Sequence, residues 1–160
     1  MTGRIGQQEI ESLPRASQLR LAARCVRRAR AMLGPAGKAG RTLDAVLDRL
    51  DEASRAQRFD DRLTDAAAAA YTLALDHVDH REPGDEDQAV VTCLVAHAAA
   101  FAAEAATLPD AERCTRLVAQ SLDFAVHACR LRGGANADSA TDAMRGDLER
   151  IEANAVLEPL

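Results

Sequence analysis

Residues 88–103 read QAVVTCLVAHAAAFAA and carry no Asp, Glu, Lys or Arg. On a helical wheel this stretch is apolar on almost every side, which is typical of a helix buried in a protein core or in a bilayer. The stretch is only 16 residues long, whereas a bilayer span needs roughly 20 apolar residues. We therefore predict a central buried helix over about residues 86–107, and no membrane segment.

The composition of the whole chain also favours helix. Its 160 residues include 35 alanines and 18 leucines, but only 12 isoleucines and valines, three phenylalanines and one tyrosine. Alanine and leucine are strong helix formers, whereas sheets are rich in β-branched and aromatic residues. Alanine buries little area, so its helices must approach closely to form a core. We predict an all-α protein, a single domain (1–160) built as a compact bundle of five or six mostly antiparallel helices.

Helix-breaking residues divide the rest of the chain. Residues 1–11 are weakly patterned and are expected to be frayed or to form a short helix. Residues 34–41 form a Gly-rich loop, and residues 157–160 a tail. Apolar residues at helical spacing predict helices over about 14–33, 42–57, 60–80, 86–107 and 110–132, with a sixth starting at Ser139.

The Gly-rich loop does not match a phosphate-binding loop. Such a loop needs a glycine five positions before Gly37, where this chain has Met32, and a Ser or Thr after Lys38, where it has Ala39. We therefore interpret residues 34–41 as a linker.

Charge is distributed unevenly along the chain, which has a net charge of −5. Residues 1–50 carry ten basic and four acidic side chains, whereas residues 51–160 carry ten basic and 21 acidic ones. The favoured interpretation is a basic helix neutralised by acidic residues of its own fold, such as Asp44, Asp48 and Asp51. The alternative is a surface for a partner, formed by four arginines on one helical arc: Arg20, Arg24, Arg27 and Arg28. The acidic turn at 82–87 is a second candidate patch.

A nucleic-acid partner is not expected. The basic arc has no interleaved aromatic residues, the cysteines lack zinc-finger spacing, and the remainder of the chain is acidic and would repel a polyanion. The chain also has one lysine against 19 arginines, which indicates coding bias rather than selection for phosphate contacts.

Two places in the sequence could bind a metal ion or haem. His77 and His80 are three residues apart and share a helix face, although a charged helix end is the favoured interpretation. Cys93 and His97 are one turn apart and could supply half of a soft-metal or haem site; the favoured alternative is a core histidine bonded to a neighbouring helix. These two places are expected to lie roughly 11 Å apart along the bundle, at 1.5 Å per residue. No single four-ligand centre is predicted, and no cofactor is expected.

An enzyme is the minority interpretation. HExxH, GxSxG, SxxK and Glu-x-x-His motifs are all missing from the sequence. An acid–base pair, Asp76 with His80 or Asp123 with His127, remains a third hypothesis and requires a cleft beside it.

The leading functional hypothesis is therefore a non-enzymatic interaction protein, an adaptor, regulator or immunity-type inhibitor. Its expected partner is another protein, with a second copy of the chain as one candidate, and its expected compartment is the cytoplasm. The compartment follows from four cysteines without CxxC spacing and a polar N-terminus without a signal-peptide pattern. The alternative is a metal- or haem-binding helical bundle.

Overall fold

The fold is entirely helical in the part of the chain that the structure, a computed structural model, describes: residues 4–34, 37–59, 61–79, 86–133 and 137–153. This confirms the all-α prediction. Seven helices pack together there, against the predicted five or six: α1 (Gln7–Glu11), α2 (Arg15–Ala31), α3 (Gly37–Ala56), α4 (Asp61–Asp79), α5 (Glu86–Thr107), α6 (Ala111–Gly133) and α7 (Ala137–Glu152).

The additional helix is α1, in the segment that the sequence suggested could be frayed. Ile10 is completely buried. The Arg4 guanidinium lies 2.6 Å from the Asp123 carboxylate of α6, and Glu9 forms an ion pair with Arg145 of α7. These anchors hold a helix that is too short to be stable alone. Residues 1–3 and the predicted tail at 157–160 lie outside the described residues.

The prediction of a loop over residues 34–41 is wrong for its second half. Gly34 ends α2 in the left-handed region, with φ of 64°, a conformation that glycine adopts without strain. However, α3 already begins at Gly37. Gly40 lies inside α3 and is buried, and burial of the apolar side at Leu43 and Leu47 offsets the roughly 1 kcal/mol that a glycine costs a helix.

The centre of the bundle is α5, which packs along α4 and α6 and also contacts α2 and α3. Eight of its alanines are fully buried and let the neighbouring helices come close, whereas the larger core side chains come mainly from α2, α3 and α7. The fully buried alanines of α5 are Ala96, Ala98, Ala99, Ala100, Ala102, Ala103, Ala105 and Ala106.

By length and composition, the 20 residues Gln88–Thr107 of α5 are apolar enough to cross a membrane. This helical stretch is longer than the uncharged segment considered from the sequence. However, 12 of these 20 residues are buried inside the bundle, which is typical of a core helix. The remaining residues of the stretch Gln88–Thr107 are half-buried and lie mainly on one side of the helix.

Candidate interaction surfaces

The basic side of α2 is paired with aspartates of α3. Arg27 donates hydrogen bonds from Nε to Asp51, at 2.8 Å, and from Nη2 to Asp48, at 2.7 Å. Arg30 donates to both carboxylate oxygens of Asp44, at 3.1 and 3.3 Å. The carboxylates expected from the sequence to neutralise this helix therefore do so.

A further carboxylate, Asp147 of α7, is completely buried beside α2. Arg28 donates to both of its oxygens, at 2.8 and 3.0 Å, and the Arg24 Nε lies 3.1 Å from Oδ1. Hydrogen bonding to Asp147 is the main cause that raises the pKa of Arg28. Asp147 was not predicted from the sequence, because it is a single acid beside the apolar stripe of α7 and its spacing does not indicate the two arginines that it meets.

The four arginines predicted to bind a partner are thus in two different situations. Arg20 is exposed, whereas Arg24, Arg27 and Arg28 pair with carboxylates of their own chain. The acidic turn at 82–87 lies outside the residues whose side chains are described.

A groove of about 530 Å³ adjoins this network between α2, α3 and α7. Its polar lining includes Arg27, Arg28, Arg30 and Asp44, and its apolar lining includes Met32. Since each lining arginine already bonds to an aspartate, an incoming anion would have to compete with those carboxylates. The network therefore serves first to join α2 to α3 and α7.

Of the two predicted metal-ligating pairs, only Cys93 and His97 lie among the described side chains. The side chain of His77 and the whole of His80 lie outside the described residues. The His97 Nδ1 lies 3.0 Å from the Cys93 carbonyl oxygen and 3.5 Å from the Cys93 Sγ. The expectation that His97 bonds to a neighbouring helix is wrong, because its partner is the previous turn of α5. Within the described ranges, no group of three or more His, Cys, Asp or Glu side chains could hold a metal ion.

The two acid–base pairs proposed from the sequence cannot be built into a site from the described residues. His127 is exposed, and Asp123 accepts two hydrogen bonds from Arg4. The crevice beside Asp123 has a volume of about 10 Å³, which is too small for a substrate. Asp76 is exposed, and its proposed partner His80 lies outside the described residues.

Rings from three helices meet on the half-buried side of α5. The Phe101 ring centroid lies 5.9 Å from that of Tyr71 on α4 and 5.3 Å from that of Phe124 on α6. The His97 ring stacks on Phe124 at 5.5 Å. The Tyr71 hydroxyl donates a hydrogen bond to the Glu104 carboxylate. Burial is the main cause that raises the pKa of Tyr71, and this hydrogen bond raises it further.

This ring cluster is the middle of a larger apolar surface. One turn beyond Tyr71, Leu75 is 62% exposed, and two turns beyond Phe124, Leu131 is 53% exposed. Leu94 and Val90 continue the same side of α5 and are half-buried. We call this surface the aromatic face; it comprises Tyr71, Leu75, Val90, Cys93, Leu94, His97, Phe101, Leu117, Phe124 and Leu131.

The aromatic face was not predicted from the sequence. Its rings are scattered over α4, α5 and α6, and a helix as uniformly apolar as α5 does not reveal which of its sides packs inward. The only signal in the sequence is that α5 is apolar on almost every side, which is more than its two main neighbouring helices can cover.

No protein-family model, no curated protein and no solved structure matches this chain.

Proposed function

We propose that the protein is a non-enzymatic helical interaction protein that binds a protein partner through the aromatic face. The partner's binding surface is expected to be largely apolar at its centre. The observation that carries this proposal is that exposed Leu75, the half-buried ring cluster and exposed Leu131 lie on one side of three neighbouring helices. Single exposed apolar residues are ordinary on a protein surface, but a contiguous patch marks an interaction site.

The chemistry of the aromatic face suits a protein partner better than a small charged ligand. Among its described side chains, aromatic and aliphatic groups dominate, and the neighbouring carboxylate of Glu104 is bonded to Tyr71. Aromatic residues are enriched at the centres of protein interfaces, where charged residues are depleted. The internal pairing of Arg24, Arg27 and Arg28 moves the proposed contact from the charged surface of α2 to the aromatic face.

The direction of the helices determines how the aromatic face is laid out. The chain between α4 and α5 has six residues, 80–85, which span at most about 25 Å. Because α5 is about 33 Å long at 1.5 Å per residue, this connection favours α4 and α5 running in opposite directions. The three residues between α5 and α6 favour the same for that pair. We therefore infer that α4 and α6 run parallel to each other on either side of α5.

We also propose a cytoplasmic location. The four cysteines all lie in described helices, no disulfide joins them, and Cys25, Cys114 and Cys129 are buried. Reduced thiols are the rule in that compartment.

Site-specific photo-crosslinking in the producing cells tests the proposed function. A photoreactive phenylalanine analogue replaces Leu131 on the aromatic face, and, as a matched control, Ala45 on the exposed side of α3. We expect a protein adduct from position 131 that disappears when Leu75→Glu is added to the same chain. The Ala45 position should give no such adduct.

Two results would contradict the proposal. One is that the protein with the photoreactive residue at position 131 forms no more protein adduct than the protein with that residue at position 45. The other is an adduct with lipid in place of protein, which would assign the aromatic face to a membrane surface.

A further inference from the structure

We infer that the partner is a second copy of this chain, bound face to face about a two-fold axis that runs parallel to α5. This inference rests on the proposed function, because it names the occupant of the aromatic face. A second copy presents the same apolar helical surface and therefore offers an apolar centre to match the aromatic face. Two copies must also fit each other at the edges of that surface.

The two edges of the aromatic face carry opposite charge. On α4, Asp61 and Asp65 are exposed, six to ten residues before Tyr71. On α6, Arg113 and Arg116 are exposed, eight to eleven residues before Phe124. We call these pairs the acidic edge and the basic edge. Arg116 also forms a solvent-exposed ion pair with Glu112 of its own helix at 2.9 Å.

The acidic and basic edges lie at the same height along the bundle. Tyr71 and Phe124 both contact the Phe101 ring, at 5.9 and 5.3 Å between centroids, and are therefore level with each other. Since α4 and α6 run in the same direction, equal numbers of residues before these two rings reach equal heights, at 1.5 Å per residue. The acidic edge and the basic edge are thus level to within a few ångströms.

This layout makes the aromatic face complementary to itself in one arrangement. A two-fold axis parallel to α5 places α4 of one copy opposite α6 of the other, so that the acidic edge meets the partner's basic edge on both sides. An axis perpendicular to α5 in the plane of the face would place α4 opposite α4 and α6 opposite α6. That rotation also reverses the height along the bundle, so the acidic edge of one copy would lie opposite the far end of the partner's α4. The opposite-charge contacts that favour the parallel axis would then be lost.

The aromatic face is large enough for a dimer. Three helices about 30 Å long, spaced 8–10 Å apart, present roughly 600 Å². A standard specific interface buries about 800 Å² per partner, and the charged edges add area to the apolar centre. The net charge of −5 per chain opposes other, less complementary encounters between copies.

Sedimentation equilibrium of the purified full chain tests whether the partner is a second copy. We expect the wild type to have twice the 17.1 kDa mass of one chain at 100 μM, a concentration chosen for the assay. Leu131→Glu should weaken self-association roughly tenfold or more, because it places a charge against the apolar surface of the second copy. Ala45→Glu adds the same charge on α3 and should change nothing. Because Leu131 is exposed in the single chain, helical content by circular dichroism should be equal in all three proteins.

Charge reversal at the edges tests the direction of the axis. Asp61→Arg with Asp65→Arg, and separately Arg113→Asp with Arg116→Asp, should each weaken the dimer about tenfold. A chain carrying all four reversals should recover the wild-type affinity, which also shows that the reversals do not act by unfolding the helices. Dimers unaffected by either double reversal would overturn the parallel axis, because under a perpendicular axis the charged edges lie at opposite ends of the interface and do not meet.

Failure of this inference is distinguishable from failure of the proposed function. If the wild type stays monomeric at 100 μM, the assay concentration, the partner is not a second copy. If the photoreactive residue at position 131 then still crosslinks to a different protein, and Leu75→Glu abolishes that crosslink, the proposed function stands with another partner. If both measurements are negative, both proposals are wrong.

Discussion

Asp147 has no exposed surface, and Arg28 holds it with two hydrogen bonds, from Nε and Nη2, at 2.8 and 3.0 Å. Removing the charge of a buried carboxylate while its arginines remain leaves them without compensation, which typically costs 3–5 kcal/mol. We predict that Asp147→Asn lowers the free energy of unfolding by about 3 kcal/mol in urea denaturation. The control is Asp123→Asn, whose pair with Arg4 is exposed and should be worth less than about 1 kcal/mol. Equal effects of the two substitutions would show that Asp147 does not anchor α7 to α2.

The alanines of α5 are expected to resist enlargement. Ala99 is completely buried where α5 meets its neighbours, and a larger side chain there must push a helix outward. We predict that Ala99→Leu lowers the free energy of unfolding by about 1–3 kcal/mol. Ala69→Leu makes the same change at an exposed position of α4 and should be nearly neutral. A stable Ala99→Leu protein would mean that the core around α5 is loosely packed.

Alkaline pH should destabilise the fold because of buried thiols. Burial raises the pKa of Cys25 far above its ordinary value of 9.0 and raises that of Cys129 to about 11. Above pH 9 the unfolded chain therefore loses thiol protons that the folded chain keeps, and the free energy of unfolding falls by up to about 1.4 kcal/mol per pH unit for each such group.

This pH dependence can be assigned by substitution. Between pH 7 and 9 the buried thiols should leave stability unchanged; between pH 9 and 11 it should fall steadily in urea denaturation. Cys129→Ala should reduce the slope by up to one group's contribution, whatever its effect at pH 7. A Cys129→Ala slope identical to that of the wild type would contradict the role of this thiol.

The four thiols should differ in their rate of reaction with an aromatic disulfide reagent at pH 8. Cys93 is half-buried, whereas Cys25, Cys114 and Cys129 expose 2% of their surface or less. We predict that one thiol reacts promptly in the folded protein, and that Cys93→Ser abolishes this phase. Because Cys93 belongs to the aromatic face, its reaction should slow as protein concentration rises through the dimerisation range. Prompt reaction of three or four thiols would indicate that the bundle opens readily.

The arginines of α2 show which ion pairs could be predicted from the sequence and which could not. Helical spacing placed them on one arc, and the same spacing in α3 presented Asp44, Asp48 and Asp51 to them; both follow from the 3.6-residue repeat alone. The pairing with Asp147 was not predictable, because α7 is more than a hundred residues away and its position depends on how α1, α2 and α6 pack around it. The start of α3 was misjudged for a related reason, since burial of its apolar side overrides two glycines that locally favour a loop.

The sequence by itself determined that the chain folds as an all-helical bundle around residues 86–107, because alanine-rich apolar periodicity permits no other way to bury that segment. It also determined the charge pairing between neighbouring helices, which depends on local spacing. Only the tertiary structure decided which side of α5 remains outside the core. That choice assembles Tyr71, Phe101 and Phe124 from three helices, and side chains distant in sequence become neighbours only when the helices pack.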